Sequence, residues 1–555
     1  MSQNLLALIA FVSPFLFMVT AIASWFQPGL RPRLVKNMAM VSTVVSIVIA
    51  LVCGYQVAMH SLLETSLIGF NELGMSLRLD AVSILMLTMI ALLSFIIIKY
   101  SLNYLDGDRR QGTFIGRLSA TIASVQLLVL SGNLGLLFVA WVLTSMSLHR
   151  LLVFYRERPV ALIAARKKFI VARLGDICLL IAVGALYLQF GTGNLEAIFQ
   201  GIKNASASGL PLNGIETAAI FLAAAAILKS AQFPTHGWLI EVMETPTPVS
   251  ALLHAGLLNA GPFLIVRMAF VIDASSYAPQ LLLIIGGLTA LFASVVFLTQ
   301  TSIKTALAYS SVAHMGFSLL VCGLGVYPAA MLHLVAHSFY KAHSFLSSGS
   351  VIEVIKSSKI TAAKRTGKPL KIVLGVVLAL SLYTLFAIIW GVDPHEQFSL
   401  MAIGAVIVMG LSRIFTSAID SERSLKLFSW ACLIAFTVTI SFFTLETGMH
   451  HLLDGKVPEL AYPGITTTLI TEALLVLFAL VTAIQIIAPS IKASPAYLAL
   501  AIHLRNGLYI NTLFDRTVRA LYAHGELQKP EIAESIEYVR RKEPLLVEDF
   551  ENQPA

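Results

Sequence analysis

The chain reads as an all-α polytopic membrane protein with about 15 transmembrane helices, and three observations carry that reading. Hydrophobic residues fill 57% of the 555 positions and charged residues only 12%, about half the charged share of soluble domains. Mean hydropathy is +0.83. Apolar runs of about 20 residues, enough to cross a hydrocarbon layer, recur from one end to the other.

The runs fall at 5 to 26, 36 to 58, 81 to 100, 117 to 131, 134 to 155, 168 to 190, 216 to 232, 248 to 272, 281 to 299, 306 to 325, 329 to 349, 371 to 391, 398 to 418, 425 to 447 and 465 to 490. The first is too long and too weakly basic at its start for a cleaved signal, and reads as a retained helix. Alternate loops differ sharply in Lys and Arg. One set carries Arg31, Arg33 and Lys36, then Arg109, Arg110 and Arg117, then Arg156, Arg158, Arg166, Lys167 and Lys168, and later Lys304, the run from Lys356 to Lys368, Arg423 and Lys426. The other set, including 60 to 79, 190 to 216, 391 to 398 and 447 to 466, holds almost none. Positive loops stay in the cytoplasm, so the N-terminus is expected outside and the C-terminus inside. The net charge of +8 then reflects loop bias rather than an affinity for nucleic acid.

Composition divides the chain into N-terminal transmembrane helices (1–116), a core rich in polar residues (117–350), a plainer C-terminal bundle (351–490) and a cytoplasmic tail (491–555). Cys53, Cys178, Cys322 and Cys432 fall inside spans without CxxC spacing, which speaks against disulfides and thiolate metal sites.

Ionisable residues inside apolar runs are the candidate functional groups, because each is costly at membrane depth. Lys229 lies in the run that Pro234, Pro246 and Pro248 interrupt, and His254 lies where that run restarts. Broken helices at that depth are tolerated only where the freed backbone is buried in protein or lines a cavity. His333, His337 and Lys341 stand four residues apart, on one helix face over about 12 Å. Such a stripe suits proton relay, since imidazole both accepts and donates and a desolvated lysine titrates. A His pair at this spacing also suits zinc, and each single His suits a bond to a backbone carbonyl; no Cys, Asp or Glu completes a metal set. Lys304 stands at the mouth of another span, as a path residue or an interfacial anchor, with His314 farther in. Arg173 and Asp176 are placed to neutralise each other across three residues. Glu241 and Glu244, which flank the broken segment, and Asp176 are possible charge partners of Lys229. No P-loop, GxGxxG, HExxH or nucleophile elbow is present, so nucleotide, dinucleotide and acyl chemistry are not indicated for the chain.

The ordered segments LRLDAVSILML, SGNLGLLFVAW, KKFIVARLGD, ILKSAQFPTHGWLIEVMETPTPVSALLHAG, TSIKTALAYSSVAHMGF and HLVAHSFYKAHSFLSSG resemble the proton-translocating family shared by antiporter-like subunits of respiratory complex I and Mrp-type sodium/proton antiporters. The resemblance covers roughly 77 to 352 and implies two inverted five-helix repeats with broken helices at the midplane. By position, Lys229, His254, Lys304, His333, His337 and Lys341 match its proton-path residues. Two departures stand out. The family's glutamate after the fifth-helix tryptophan is replaced by Val142, which follows Trp141, and His149 and Arg150 are additions on that helix. The run at 371 to 391 has no ionisable residue in its apolar part, where the family's later broken helix carries a lysine. No long lateral helix follows it.

With these departures the chain is most similar to the DabB membrane subunits of bacterial inorganic carbon accumulation complexes. That resemblance implies a location in the bacterial inner membrane and a large soluble DabA-like partner bearing zinc on the cytoplasmic side, docked on the basic loop 356–371 or the tail. It further implies that protons or sodium passing through the chain drive CO₂ hydration in the partner, with no cofactor in the chain itself. Competing expectations are an Mrp-like antiporter subunit, an antiporter-like subunit of a complex I-type oxidoreductase, and a scaffold that conducts nothing.

Overall fold

The computed structural model describes residues 3–155, 157, 159–242, 245–349, 369–393, 397–420, 424–487 and 495–523. Glu244, most of the basic loop after Gly349 and the end of the tail lie outside them. Met1–Leu508 forms one compact unit and Tyr509–Ala555 a second, in which Ile510–Ala523 is an α-helix.

Among the described residues, thirteen helices of the first unit are long and apolar enough to cross a membrane. We label the helices that bear on the site α1 Asn4–Phe26, α2 Arg33–His60, α3 Ala81–Tyr104, α4 Gln111–Val129, α5 Leu134–Leu152 and α6 Pro159–Phe190. There follow α7 Ile215–Lys229, α8 Gly237–Glu241, α9 Thr247–Arg267, α10 Ala278–Phe297, α11 Ile303–Gly323, α12 Tyr327–Leu346 and α13 Pro369–Ile389. Two expected spans fall outside the thirteen. α7 has only 15 residues because the chain breaks after Lys229, and in α12 the His and Lys stripe interrupts the apolar run.

The reading as wholly α-helical misses a small feature. Between α2 and α3, β1 (Leu63–Glu64) pairs antiparallel with β4 (Arg78–Leu79), and β2 (Ile68–Phe70) with β3 (Leu73–Met75). Strands this short carry no periodic signal. A second difference concerns α6, which begins at Pro159 rather than near 168. Proline lacks an N–H and is tolerated in a first helical turn. Lys167 and Lys168 therefore lie inside the protein, at 0% and 5% exposure, and not in a basic loop.

The expected break is present in the first repeat. Ala231 has φ 53°, and Pro234 has no N–H to continue a helix. The freed backbone finds partners: the Phe233 N–H donates to Thr289 Oγ1 at 3.1 Å, and the Ser230 carbonyl accepts from Gln232 Nε2 at 2.9 Å. Gly261 of α9 passes so close that a Cβ there would collide with Ser230 Oγ and the Ala226 carbonyl. In the second repeat α13 is an unbroken helix, so the implied second break at 371–391 is corrected. Its sequence offers neither an internal proline nor an ionisable group that would need an unwound turn.

At one end of the core a buried charge network ties three distant segments together. Asp80 caps α3 through the Ser83 N–H at 2.9 Å and accepts from Arg267 at 2.6 and 3.1 Å and from Arg78 Nε at 2.8 Å. Arg78 also donates to Glu64 at 3.0 Å and Glu196 at 2.8 Å. Burial opposes ionisation of Asp80, yet the two guanidiniums outweigh it and hold the carboxyl well below the usual range. The stabilisation is thus fully present above an ordinary carboxylate pKa of about 3.9 and is lost as pH falls below it. Removing one partner of such a network costs about 3–5 kcal/mol. Asp80→Asn should accordingly lower the thermal midpoint of the detergent-solubilised protein at neutral pH; an unchanged midpoint would contradict a structural role for the network.

Candidate functional site

The site begins where α7 ends. Lys229 occupies the last turn, where unsatisfied carbonyls give the helix terminus a partial negative charge that favours an ammonium. Its Nζ donates to Ser145 Oγ at 2.7 Å, to Thr144 Oγ1 at 2.9 Å and to the Trp141 carbonyl at 3.2 Å. It also stands 4.2 Å from the centroid of the Trp141 ring, a cation–π contact. All these partners lie on α5, the helix on which Val142 replaces the family's acid. Two hydroxyls, a carbonyl and a ring face thus solvate the charge, with no carboxylate bonded to it among the described residues.

Of the candidate acids, neither described one bonds to Lys229, although the charge of Asp176 reaches it. Asp176 is joined to Arg173 at 2.7 Å, as their spacing suggested. Glu241, at the end of α8, receives Lys167 Nζ on both oxygens at 2.6 Å, a nearly buried pair that fastens α6 to the far side of the break. Glu244 is outside the described residues.

Lys168 was not distinguishable in sequence from a basic loop residue. Its Nζ donates to the Ser145 carbonyl at 2.7 Å, so Ser145 contacts two ammonium groups at once. Lys168, Lys229, Thr144, Ser145 and Trp238 line one small void with Leu253 and Leu257. Leu253–Leu257 is a π-helical turn within α9, and it contains His254. Such turns place a side chain off the regular helical face and are frequent at functional sites.

From His254 the polar groups continue along α12. The His254 ring stacks on Phe345 with centroids 4.3 Å apart and planes 19° from parallel. Lys341, one turn before Phe345, donates to Ser310 Oγ at 2.9 Å and to the Leu307 carbonyl at 3.1 Å on α11. His314 of α11 completes a triangle with the α12 stripe: its ring lies 5.0 Å from that of His337 and 5.3 Å from that of His333, which are 5.8 Å apart. Sequence spacing found the stripe on α12 but not the neighbour that α11 packs against it. Asn259 of α9 donates to Ser338 Oγ at 2.6 Å, adding a buried polar tie between the two helices. Neither ring nitrogen of His254 or His337 has a hydrogen-bond partner among the described residues.

Lys304 stands apart. It lies half-buried in the first turn of α11, ten residues before His314, and makes no hydrogen bond or ion pair among the described residues. Among those residues no group of His, Cys, Asp and Glu has the arrangement of a metal site. The arrangement is instead a file of groups that can each hold or release a proton, buried in helices and interrupted by one small void.

Comparison with known proteins places this chain in a family setting. Residues 131–391 match the family described as NADH:quinone oxidoreductase/Mrp antiporter, TM. Residues 68–115 match the family described as NADH-ubiquinone oxidoreductase (complex I), chain 5 N-terminus. A probable inorganic carbon transporter subunit DabB2 of Halothiobacillus neapolitanus is 34% identical over 451 residues, 81% of each chain. A probable inorganic carbon transporter subunit DabB of Hydrogenovibrio crunogenus is 42% identical over 291 residues, 52% of this chain and 56% of that one. Among solved structures, the Mrp complex of a Dietzia species superposes with a TM-score of 0.55 at 20% identity, covering all of this chain and 61% of that one, a likeness of fold.

The geometry around Lys229 makes a direct prediction. A hydrogen bond to a charged group contributes about 1.5–3 kcal/mol. Thr144→Val, which keeps volume and removes one acceptor, should therefore lower the thermal midpoint of the solubilised protein, and Thr144→Ser should restore it. Equal midpoints for all three would mean that Thr144 does not hold the ammonium.

Proposed function

Since this chain belongs to the antiporter-like membrane family, in the branch of the DabB inorganic carbon transporter subunits, we propose that it conducts protons or sodium ions down their gradient and thereby drives CO₂ hydration in a soluble partner. The partner in this reading is a large DabA-like zinc protein on the cytoplasmic side of the bacterial inner membrane. The N-terminus lies outside and the C-terminus inside. The chain contributes the path and not the hydration chemistry.

The observation that carries the proposal is Lys229 at the break, held among the described residues by Trp141, Thr144 and Ser145. A scaffold has no reason to bear the cost of an ammonium at membrane depth, about 3 kcal/mol on insertion scales. The continuation through His254, Lys341, His337, His314 and His333 supports passage of protons rather than a single isolated charge. Lys304 is proposed as the group at the mouth of this line. Arg173 and Asp176 are proposed as a neutral structural pair, and Glu241 as part of the brace that holds the broken helix.

A gradient biases a reaction elsewhere only if ion passage and reaction share a conformational or protonation state. The segment after the break, tied to α6 through Lys167 and Glu241, is the part we propose to transmit the charge state of Lys229. The divisions 1–116, 117–350, 351–490 and 491–555 correspond in this reading to scaffold, path, bundle and tail.

Expressed with its soluble partner, the chain should restore growth in ambient air to a bacterium lacking carbonic anhydrase, and a protonophore should abolish the rescue. Lys229→Ala should insert normally and give no growth. Normal growth of that variant would remove the ion path from the account. Failure to rescue, with gained tolerance to sodium or alkali, would favour an Mrp-like antiporter.

A further inference from the structure

With no carboxylate after Trp141, the partner of the Lys229 proton must come from somewhere else, and α6 supplies a candidate. Lys168 is 5% exposed and its Nζ bonds to the Ser145 carbonyl at 2.7 Å, while Lys229 Nζ bonds to the hydroxyl of the same residue at 2.7 Å. Both ammonium groups line the same small void. The charged groups whose fields reach Lys168 are Lys229, Arg173 and Asp176, and His149 faces it from α5. Its neighbour Lys167 is occupied with Glu241, and Asp176 with Arg173. Neither acid bonds to Lys168 or Lys229.

Two facing ammonium groups on one residue, with no counter-charge bonded to either among the described residues, repel each other in surroundings that screen poorly. The cheaper state has one proton between the two nitrogens. We propose that Lys168 is a second relay group, sharing a proton with Lys229 across Ser145, so that a lysine–lysine pair does here what a carboxylate–lysine pair would do. In the hand-over one N–H bond of the Lys168 ammonium breaks as a new N–H bond forms on a neutral Lys229 amine, across Ser145, whose carbonyl accepts from Lys168 and whose hydroxyl accepts from Lys229. No heavy-atom bond changes and no co-reactant is needed. Lys229, relieved of its neighbour's charge or burdened by it, is thereby switched without a carboxylate bonded to it. This inference rests on the proposed ion path.

The test uses the full complex in sealed proteoliposomes, with ion flux read from an entrapped pH-sensitive dye. Lys168→Gln keeps a neutral donor for the Ser145 carbonyl, and Lys168→Arg keeps a charge that does not come off. Both should assemble and both should lose at least about tenfold in flux. Flux within twofold of the unaltered protein in either variant overturns the relay, since a donor or a fixed charge would then suffice. If neither variant assembles, Ser145→Ala decides: it leaves the carbonyl that anchors Lys168 and removes the hydroxyl that holds Lys229 on the same residue, and undiminished flux there overturns the proposal. Lys229→Ala separates this failure from failure of the path itself. An inactive Lys229→Ala beside active Lys168 variants removes only the relay, whereas full flux in Lys229→Ala removes the path.

Discussion

An ammonium at the end of a helix that stops inside the membrane is the constraint on which the rest of this structure depends. Lys229 cannot be left bare at that depth, so α5 must bring the Trp141 carbonyl and ring, Thr144 and Ser145 to it. The helix cannot stop there unless its freed backbone is bonded, so Thr289 of α10 and Gln232 must meet the break, and Gly261 must let α9 pass closely beside it. The segment after the break must then be held, and Lys167 holds it through Glu241. Each demand follows from the absence of water as a partner within a bilayer.

The same logic explains why the polar groups form a file and do not scatter. A buried imidazole without a partner is expensive, and gathering His314, His333 and His337 within 5.0 to 5.8 Å of one another lets each ring supply part of its neighbour's surroundings. The π-turn at Leu253–Leu257 sets His254 against Phe345, between the void beside Lys229 and the stripe on α12.

Much of this was legible in the sequence because membrane helices are read by a strong, local signal. A lysine inside an apolar run stands out, as do three basic residues at intervals of four, and the prolines after Lys229 announce the break. What stayed hidden depends on tertiary neighbours. Lys168 adjoins Arg166 and Lys167 at the edge of an apolar run, a pattern identical to that of a cytoplasmic anchor, and only the fold brings Ser145 to it. Asp80 and Arg267 are 187 residues apart and look unremarkable singly. His314 reads in sequence only as a group deeper than Lys304 in the same span, and only the fold sets it against His333 and His337. The β-hairpins at 63–79 are too short to register, and the resemblance overstated the second repeat, whose helix at 369–389 runs without a break.

The central claim is that ion passage through this chain drives a reaction in a partner it does not itself catalyse. The most direct measurement is the rate of CO₂ hydration by the complex reconstituted in sealed vesicles, compared with and without an imposed proton or sodium gradient. The account predicts that hydration proceeds with the gradient and collapses when it is dissipated. A rate indifferent to the gradient, in vesicles shown to hold it, would contradict the coupling and leave the chain an anchor.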